Sequence, residues 1–302
     1  MMELMTGLIE LLGKENVLAG EPMKNHSSFK AGGEAALLVV AENEQLLMKA
    51  LAMLVKEGMP YIILGNGTNI LVKDTGFSGA FVKLGTGFNG IEVVGNEIKA
   101  GAGALLSTLA KTAAENRLTG LEFAAGIPGS VGGGICMNAG AYDEELKNVI
   151  KSVEAITKDG SERLLLEAEV LELGYRTSRF QRTGEVATSV IVQLEQGDPE
   201  IISGKMKDLA TRRSAKQPLW MPSAGSFFKR PSGDYAGRLI EEAGLKGLTV
   251  GDAMVSPLHA GFIVNKGNAS ATDIINLMKL VQNIVYDKTG VRLEPEVRII
   301  GD

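Results

Sequence analysis

Residues 126–134 read Gly-Ile-Pro-Gly-Ser-Val-Gly-Gly-Gly, and this stretch decides how the chain is interpreted. Its five glycines in nine residues lose much conformational entropy on folding, so their presence requires a physical reason. Close approach of the backbone to an anionic ligand is one such reason. The alternative is a structural loop whose glycines let two protein segments pack closely without a ligand.

A second glycine-rich stretch follows a short apolar run, since residues 61–72 read Tyr-Ile-Ile-Leu-Gly-Asn-Gly-Thr-Asn-Ile-Leu-Val. A strand that leads into such a turn exposes backbone N–H groups with no Cβ nearby, which suits a diphosphate. An ordinary Gly-Asn-Gly turn between strands is the alternative for this motif alone. Residues 138–142, Asn-Ala-Gly-Ala-Tyr, add an amide and a phenol that can hydrogen-bond a ring or a ribose. Together the two glycine stretches favour an anionic ligand more strongly than either does alone.

A third glycine motif does not indicate a nucleotide site. Residues 85–90 match G-x-G-x-x-G after a strand, but the next residues, Ile-Glu-Val-Val, predict another strand. A Rossmann site needs a helix N-terminus at that point, so we interpret the segment as a hairpin connection. The sequence also contains no G-x-x-x-x-G-K-[ST] phosphate loop, which argues against a nucleotide hydrolase.

The composition excludes several other classes of protein. The net charge of -5 provides no general attraction to nucleic acid. Cys136 is the single cysteine, so an internal disulfide and a cysteine-based metal cluster are excluded. Residues 1–12 lack the basic start and long apolar stretch typical of a signal peptide, and no run approaches about 18 apolar residues, so we expect a cytoplasmic protein without membrane insertion.

Capping residues and hydrophobic periodicity predict a mixed α+β chain. Helices are predicted at 43–58, 105–117, 202–213 and 270–290, the last beginning with a capping box at Ser270. Strands are predicted at 36–40, 61–64, 80–84, 91–94, 97–100, 149–157, 186–194, 261–264 and 292–299. The central part is richer in strands and glycine, whereas long helices follow residue 202, so we expect domain boundaries near Leu84 and Ile201.

Two later motifs carry polar chemistry. Residues 175–180, Tyr-Arg-Thr-Ser-Arg-Phe, place cations and hydroxyls between strand-like runs, although arginines often only solvate a surface. Residues 222–231, Pro-Ser-Ala-Gly-Ser-Phe-Phe-Lys-Arg-Pro, combine a serine with two cations and two aromatic residues. The second motif is not the G-x-S-x-G elbow of hydrolases.

The C-terminus and the two histidines have simpler interpretations. Residues 293–300 are predicted as a strand on which Glu296 and Arg298 share one face, where a cross-strand ion pair is the structural alternative. His26 and His259 are predicted to be hydrogen-bonded structural residues, and we expect no metal site.

The ordered set of motifs resembles one family, the UDP-N-acetylenolpyruvoylglucosamine reductases, also called UDP-N-acetylmuramate dehydrogenases. The resemblance runs from residues 25–33 to the last strand, and six motifs in the same order are not a coincidence. It implies NADPH-dependent, FAD-mediated reduction of the enolpyruvyl group of UDP-N-acetylglucosamine enolpyruvate to UDP-N-acetylmuramate. This reaction belongs to peptidoglycan synthesis, and thus to cell wall biogenesis, cell shape and cell division.

The resemblance also implies the fold, an α+β chain with two FAD-binding subdomains of the p-cresol methylhydroxylase type and a C-terminal α/β substrate-binding domain. The subdomains correspond to 1–84, with a return strand at 292–302, and to 85–201. The UDP-sugar domain corresponds to 202–291. FAD is the implied cofactor and NADPH the co-substrate, and the expected state is a monomer.

Mapped by motif, the resemblance implies roles for individual residues. Ser226 corresponds to the proton donor, and Arg176 and Glu296 correspond to residues that stabilise the enol-like intermediate. The implied substrate-binding residues are Tyr175, Lys216, Lys229 and Arg230. The implied FAD-binding residues are Gly65, Asn66, Gly67, Thr68, Asn69, Ile70, Gly126, Ile127, Pro128, Gly129, Ser130, Gly132, Gly133, Asn138, Gly140, Tyr142 and Arg298.

One position departs from the family pattern, because many members have asparagine where this chain has Arg230. The short interval between Arg176 and Ser226 leaves no room for a loop with a substrate-clamping tyrosine, which places the chain in the type II subclass. Two alternatives stay open at this point. One is another flavoenzyme of the same FAD-binding superfamily, such as an oxidase of alcohols or phenols, and the other is a non-catalytic nucleotide-binding protein.

Overall fold

A computed structural model of the chain describes residues 2–301. The α-helices of this part of the chain are α1 (Met2–Leu12), α2 (Glu44–Lys56), α3 (Leu106–Glu115), α4 (Val131–Met137), α5 (Arg179–Thr183), α6 (Pro199–Lys216), α7 (Ala236–Glu242) and α8 (Ala271–Thr289). The strands are β1 (Val17–Pro22), β2 (Glu34–Ala41), β3 (Tyr61–Leu64), β4 (Ile70–Val72), β5 (Phe77–Leu84), β6 (Ile91–Val94), β7 (Glu97–Gly101), β8 (Leu118–Thr119), β9 (Gly140–Ala141), β10 (Glu144–Glu145), β11 (Ile150–Ile156), β12 (Arg163–Glu167), β13 (Val186–Gln193), β14 (Glu195–Gln196), β15 (Thr249–Val250), β16 (Ala253–Val255), β17 (Ile263–Asn265) and β18 (Arg298–Ile300).

The chain forms two compact units. Of the described residues, unit 1 comprises 2–19, 37–66 and 79–212, and unit 2 comprises 20–36, 67–78 and 213–301. The chain therefore leaves unit 1 and returns to it twice before residue 80. The predicted domains at 1–84, 85–201 and 202–291 divide the chain differently and stay a prediction.

Unit 1 contains two hydrophobic cores. In one, the apolar faces of α1 and α2 pack against strands β2 and β5. This core includes Leu47 of α2, Leu37 of β2 and Val82 of β5. In the other, α3 and α4 pack against a five-stranded sheet of order β12-β11-β13-β7-β6. All neighbouring strands of that sheet are antiparallel.

Unit 2 is built around α8, whose buried face includes Ile274, Leu277 and Val281. Strands β15, β16 and β17 form an antiparallel sheet, and β18 pairs in parallel with β4. Phe227 and Phe228 belong to the same core, so the serine-containing segment is anchored by two buried rings.

The strongly capped helices are confirmed. Asn43 accepts a hydrogen bond from Leu46 at the start of α2. Ser270 and Asp273 form the predicted capping box of α8, and Gly290 ends the helix in a left-handed conformation. Helix α6 is longer than predicted at both ends.

Two predictions about strands were wrong. The C-terminal strand covers only Arg298–Ile300, because Pro295 has no N–H to donate to a ladder and makes only an isolated bridge with Phe228. Residues 85–90 do not join the two strands of one hairpin, since β5 and β6 belong to different sheets. The rejection of a Rossmann site holds, because a strand and not a helix follows. No described helix is long and apolar enough to cross a membrane.

Candidate active site

The first glycine turn, residues 65–69, presents a run of unused backbone donors. The described residues supply no hydrogen-bond acceptor to the N–H groups of residues 66–69. Gly67 has φ +64°, and a Cβ at this position would overlap the carbonyl oxygen of His26. Consecutive N–H groups of this kind form a concave site that binds phosphate oxygens.

The second glycine stretch differs from the predicted loop, because its second half is the start of α4. Ser130 is the N-cap and its hydroxyl accepts a hydrogen bond from the N–H of Gly133. The N–H groups of Val131 and Gly132 donate to the carbonyls of Ala104 and Ala102. These amides are therefore used inside the protein, and the glycines serve close packing of α4.

Gly65, the first residue of the first glycine turn, lies beside the second glycine stretch within unit 1. A Cβ on Gly65 would lie 2.5 Å from the Ser130 hydroxyl and 4.0 Å from Gly133 Cα. Gly134 is equally confined, since a Cβ there would lie 2.9 Å from a methyl group of Leu106.

Arg176 lies in unit 1 on a tight turn whose ends, Gly174 and Thr177, exchange backbone hydrogen bonds. Its φ is +55°, a conformation that is costly for a residue with a Cβ. The guanidinium donates to the carbonyl oxygens of Gly140 (3.0 Å) and Asn138 (3.4 Å) and lies over the Tyr175 ring. The predicted catalytic arginine is thus a half-buried group held from several sides.

Ser226 and Glu296 come together within unit 2. The backbone N–H of Glu296 donates to the carbonyl of Phe227, the residue after Ser226. The carbonyl of Glu296 accepts from the side-chain amide of Asn69 at 3.2 Å. Glu296 is therefore joined to the serine segment on one side and to the first glycine turn on the other.

The predicted substrate-binding cations are all in unit 2. Lys229 lies 3.5 Å from the carboxylate of Glu294, and Arg230 stacks on the Tyr235 ring at 4.2 Å. Lys216 ends α6 and is exposed. Tyr175, in unit 1, is exposed beside Arg176.

The remaining predicted FAD-binding residues have different surroundings. Arg298 donates its backbone N–H to the carbonyl of Asn69, which keeps it beside the first glycine turn. Gly140 begins β9 and accepts from Arg176. The Tyr142 hydroxyl donates to the carbonyl of Leu209 on α6 at 3.3 Å. Asn138 is completely buried and uses its side chain for three hydrogen bonds to protein groups.

Sequence reasoning did not identify Glu145 or Gln181 as part of the surroundings of Arg176. Burial tends to raise the pKa of Glu145, but hydrogen bonds from Lys147 and Asn138 and the charges of Lys147 and Arg176 outweigh it and lower the pKa. Gln181 donates to the carbonyl of Arg176. Gln181 is only five residues from Arg176, so its proximity is local, whereas Glu145 is brought close by the long-range path of the chain.

Two family models match the chain. The FAD binding domain covers residues 35–164, and the C-terminal domain of UDP-N-acetylenolpyruvoylglucosamine reductase covers residues 217–300. The reductase of that name from Clostridioides difficile (strain 630) is 47% identical over 98% of this chain and 97% of its own length. The one from Clostridium tetani (strain Massachusetts / E88) is 49% identical over 99% and 97%, respectively.

Solved structures agree with these sequence relatives. The crystal structure of UDP-N-acetylenolpyruvylglucosamine reductase from Thermus caldophilus matches with a TM-score of 0.81 and 36% identity, covering 94% of this chain and 97% of that chain. p-Cresol methylhydroxylase matches at a TM-score of 0.50 and 12% identity, over 97% of this chain and 65% of that chain, which indicates the fold alone. The chain belongs to the UDP-N-acetylenolpyruvoylglucosamine reductase family and is an FAD-dependent oxidoreductase with the p-cresol methylhydroxylase type of FAD-binding fold.

Proposed function

We propose that this enzyme reduces the enolpyruvyl group of UDP-N-acetylglucosamine enolpyruvate to UDP-N-acetylmuramate, a step of peptidoglycan synthesis, with NADPH as the electron donor. Identity of 47% and 49% with two reductases over nearly the whole chain supports the substrate. The observation that carries the proposal is the pair of hydrogen bonds made by the backbone of Glu296. Its N–H donates to the carbonyl of Phe227, next to Ser226, and its carbonyl accepts from the side chain of Asn69 in the first glycine turn.

FAD fits the first glycine turn, because the N–H groups of residues 66–69 have no acceptor among the described residues. We propose that this turn, together with Ile70 and Arg298, holds the diphosphate of FAD. Ser130 lies beside Gly65, and we propose that residues 126–130 also contact the flavin, while Gly132 and Gly134 let α4 pack closely. When bound and reduced by NADPH, FAD would supply the hydride that is added to C3 of the enolpyruvyl group.

Arg176 stabilises the negative charge that hydride addition creates. Addition at C3 leaves charge spread over C2 and the neighbouring carboxylate, and a guanidinium that is already held in place stabilises it without further reorganisation. The carbonyls of Gly140 and Asn138 hold the guanidinium in this way. A flexible surface arginine would not provide the same effect.

Ser226 donates the proton to C2. A serine hydroxyl is a weak acid, so it serves only when it is held close to a strongly basic carbanion. Gly225, with φ +76°, turns the chain before Ser226, and the buried rings of Phe227 and Phe228 fix the chain after it. Glu296 orients the hydroxyl or shares its proton.

Cationic side chains near the serine segment bind the diphosphate of the UDP-sugar. Lys216, Lys229 and Arg230 are the candidates, because each carries a full positive charge that pairs with phosphate oxygens. Tyr175 contributes a ring next to Arg176. Arg230 replaces the asparagine of many relatives, and its stacking on Tyr235 keeps the guanidinium close to the segment.

The proposal is tested by mixing the holoenzyme with NADPH and adding UDP-N-acetylglucosamine enolpyruvate. We expect NADPH consumption only after the UDP-sugar is added, and a product that carries two additional hydrogen atoms by mass spectrometry. A parallel assay with NADH measures the preference for the 2′-phosphate. Oxygen consumption with an alcohol, without any response to the UDP-sugar, would identify an oxidase instead.

The proposed reaction also bears on where the enzyme acts in the cell. NADPH and UDP-sugars are cytoplasmic metabolites, so we propose that the enzyme acts in the cytoplasm. The monomeric state stays a prediction, and size-exclusion chromatography with light scattering measures it directly.

A further inference from the structure

Asn138 has no side-chain hydrogen left for a bound flavin. Its Nδ2 donates to the carbonyl of Gly174 at 2.9 Å and to the carboxylate of Glu145 at 2.8 Å. Its Oδ1 accepts from the backbone N–H of Lys147 at 3.0 Å. The residue is 0% exposed, and its side-chain hydrogen bonds are all made to groups of unit 1.

The bond from Asn138 to Gly174 holds the first residue of the turn that carries Arg176. That turn is strained, because Arg176 has φ +55°, and such a conformation persists only where the surroundings determine it. Gln181 supplies a second tether, since its Nε2 donates to the carbonyls of Arg176 at 3.1 Å and Cys136 at 2.7 Å. The backbone carbonyl of Asn138 itself accepts from the Arg176 guanidinium.

Within unit 1, helix α4 connects this turn to Gly65, the first residue of the first glycine turn. Its N-cap, Ser130, packs against Gly65, and its C-cap is Asn138, in a left-handed conformation with φ 41°. Seven helical residues span roughly 10 Å at 1.5 Å per residue. The spacing between Gly65 and the Arg176 turn is therefore set by one short helix.

We propose that Asn138 is a positioning residue for Arg176. Its side chain fixes the Gly174–Thr177 turn to the C-terminal end of α4 and so holds the guanidinium at a set distance from Gly65. The inference rests on the proposed function, in which Arg176 acts on the enolpyruvyl substrate and not on NADPH. Loss of the Asn138 side chain should consequently slow only the half-reaction that involves Arg176.

The test compares both half-reactions in the Asn138→Gly holoenzyme by stopped-flow absorbance of the flavin. Glycine keeps the left-handed backbone and removes only the side chain. We expect flavin content and reduction by NADPH within about twofold of wild type, because a displacement of the turn does not affect them. Reoxidation of the reduced flavin by UDP-N-acetylglucosamine enolpyruvate should slow about 100-fold, the loss typical of a 1 Å misplacement.

The matched control is Asn116→Gly, which removes an asparagine at the C-cap of α3 in the same unit, where its side chain bonds only the carbonyl of Thr112. Both half-reactions should remain unchanged in this variant. Gln181→Met, at an exposed hydrogen bond, removes the second tether without emptying the core and should slow reoxidation to a smaller extent. It keeps the inference testable if Asn138→Gly does not fold.

A double variant separates positioning from general stability. In an Arg176→Ala background, Asn138→Gly should cause no further loss of the reoxidation rate, because the group that it positions is gone. Equal losses in the two half-reactions, or additive losses in the double variant, would overturn the inference. Weakened flavin binding with a normal reoxidation rate would also overturn it and would indicate that Asn138 binds the flavin.

A crystal structure of the Asn138→Gly protein gives a readout that does not depend on the reaction. We expect residues 174–177 to move, with Arg176 leaving its positive φ. An unchanged turn would contradict the positioning role. If wild-type reduced flavin does not react with the enolpyruvyl substrate, the proposed function fails, while this structural comparison still decides the positioning role.

Discussion

At the scale of single residues, Gly67 is a position where the backbone leaves no room for a side chain. Its φ of +64° and the nearby carbonyl oxygen of His26 both exclude a Cβ. We predict that Gly67→Ala lowers the free energy of unfolding and reduces flavin content, because the first glycine turn must shift. Chemical denaturation and the flavin-to-protein absorbance ratio measure the two effects.

Gly58→Ala is the matched control for this prediction. Gly58 also has φ +64°, but nothing lies within 4 Å of the added Cβ. It should cost about 1 kcal/mol, the penalty of a left-handed residue, with normal flavin content. Gly67→Ala should cost roughly 1–3 kcal/mol more, because of the overlap. Equal costs in both variants would show that the turn tolerates the added atom.

At the scale of secondary-structure elements, Asp74 caps α8 from a distant part of the sequence. Its carboxylate accepts from the backbone N–H groups of Ala271 (2.9 Å) and Thr272 (2.7 Å) and from the Thr272 hydroxyl. Burial tends to raise the pKa of Asp74, but these hydrogen bonds outweigh it and lower the pKa. The carboxylate therefore stabilises the folded state when it is ionised.

We predict that Asp74→Ala costs about 1 kcal/mol of stability near neutral pH, as a lost helix cap does. The folded-state pKa is below the unfolded value of about 3.9, so the wild-type advantage is complete above that pH and disappears as the pH falls through the folded value. Urea denaturation of both proteins between neutral and acid pH measures this. Asp287→Asn, near the C-terminal end of the same helix, should not destabilise the protein. If the stability difference between wild type and Asp74→Ala did not change with pH, the assignment of the effect to the Asp74 carboxylate would be contradicted.

The helices show which parts of the fold local sequence can predict. The ends of α2 and α8 were predictable because Asn43, Ser270 and Gly290 act on their own helix. Helix α4 was missed, because its glycines have poor helix propensity and its stability comes from packing against Leu106 and Leu146. The last strand was extended too far, because apolar alternation continued through Pro295.

At the scale of the whole molecule, the proposed catalytic residues are divided between the two compact units. Arg176 belongs to unit 1, whereas Ser226 and Glu296 belong to unit 2. The resemblance of the ordered motifs to one family predicted the residues without any knowledge of this division. The sequence did not predict the hydrogen bonds that hold these residues, because the bonds join positions far apart in the chain. Examples are the bonds from Asn138 to Gly174 and from Asn69 to Glu296.

Ser226→Ala tests whether the two halves of the reaction are separable in the whole enzyme. We predict that NADPH still reduces the flavin at the wild-type rate, because Ser226 acts only on the carbanion at C2. Formation of UDP-N-acetylmuramate should fall by several orders of magnitude, since the lost proton donor acts only in the transition state of that step. Single-turnover mixing of the reduced holoenzyme with the UDP-sugar, followed by product analysis, measures the loss. Ser223→Ala, in the same segment but bridged by its backbone to Val264, should keep both half-reactions. Normal turnover in Ser226→Ala would show that another group donates the proton. Glu296 would be the first to examine, because its backbone N–H donates to the carbonyl of Phe227 in the same segment.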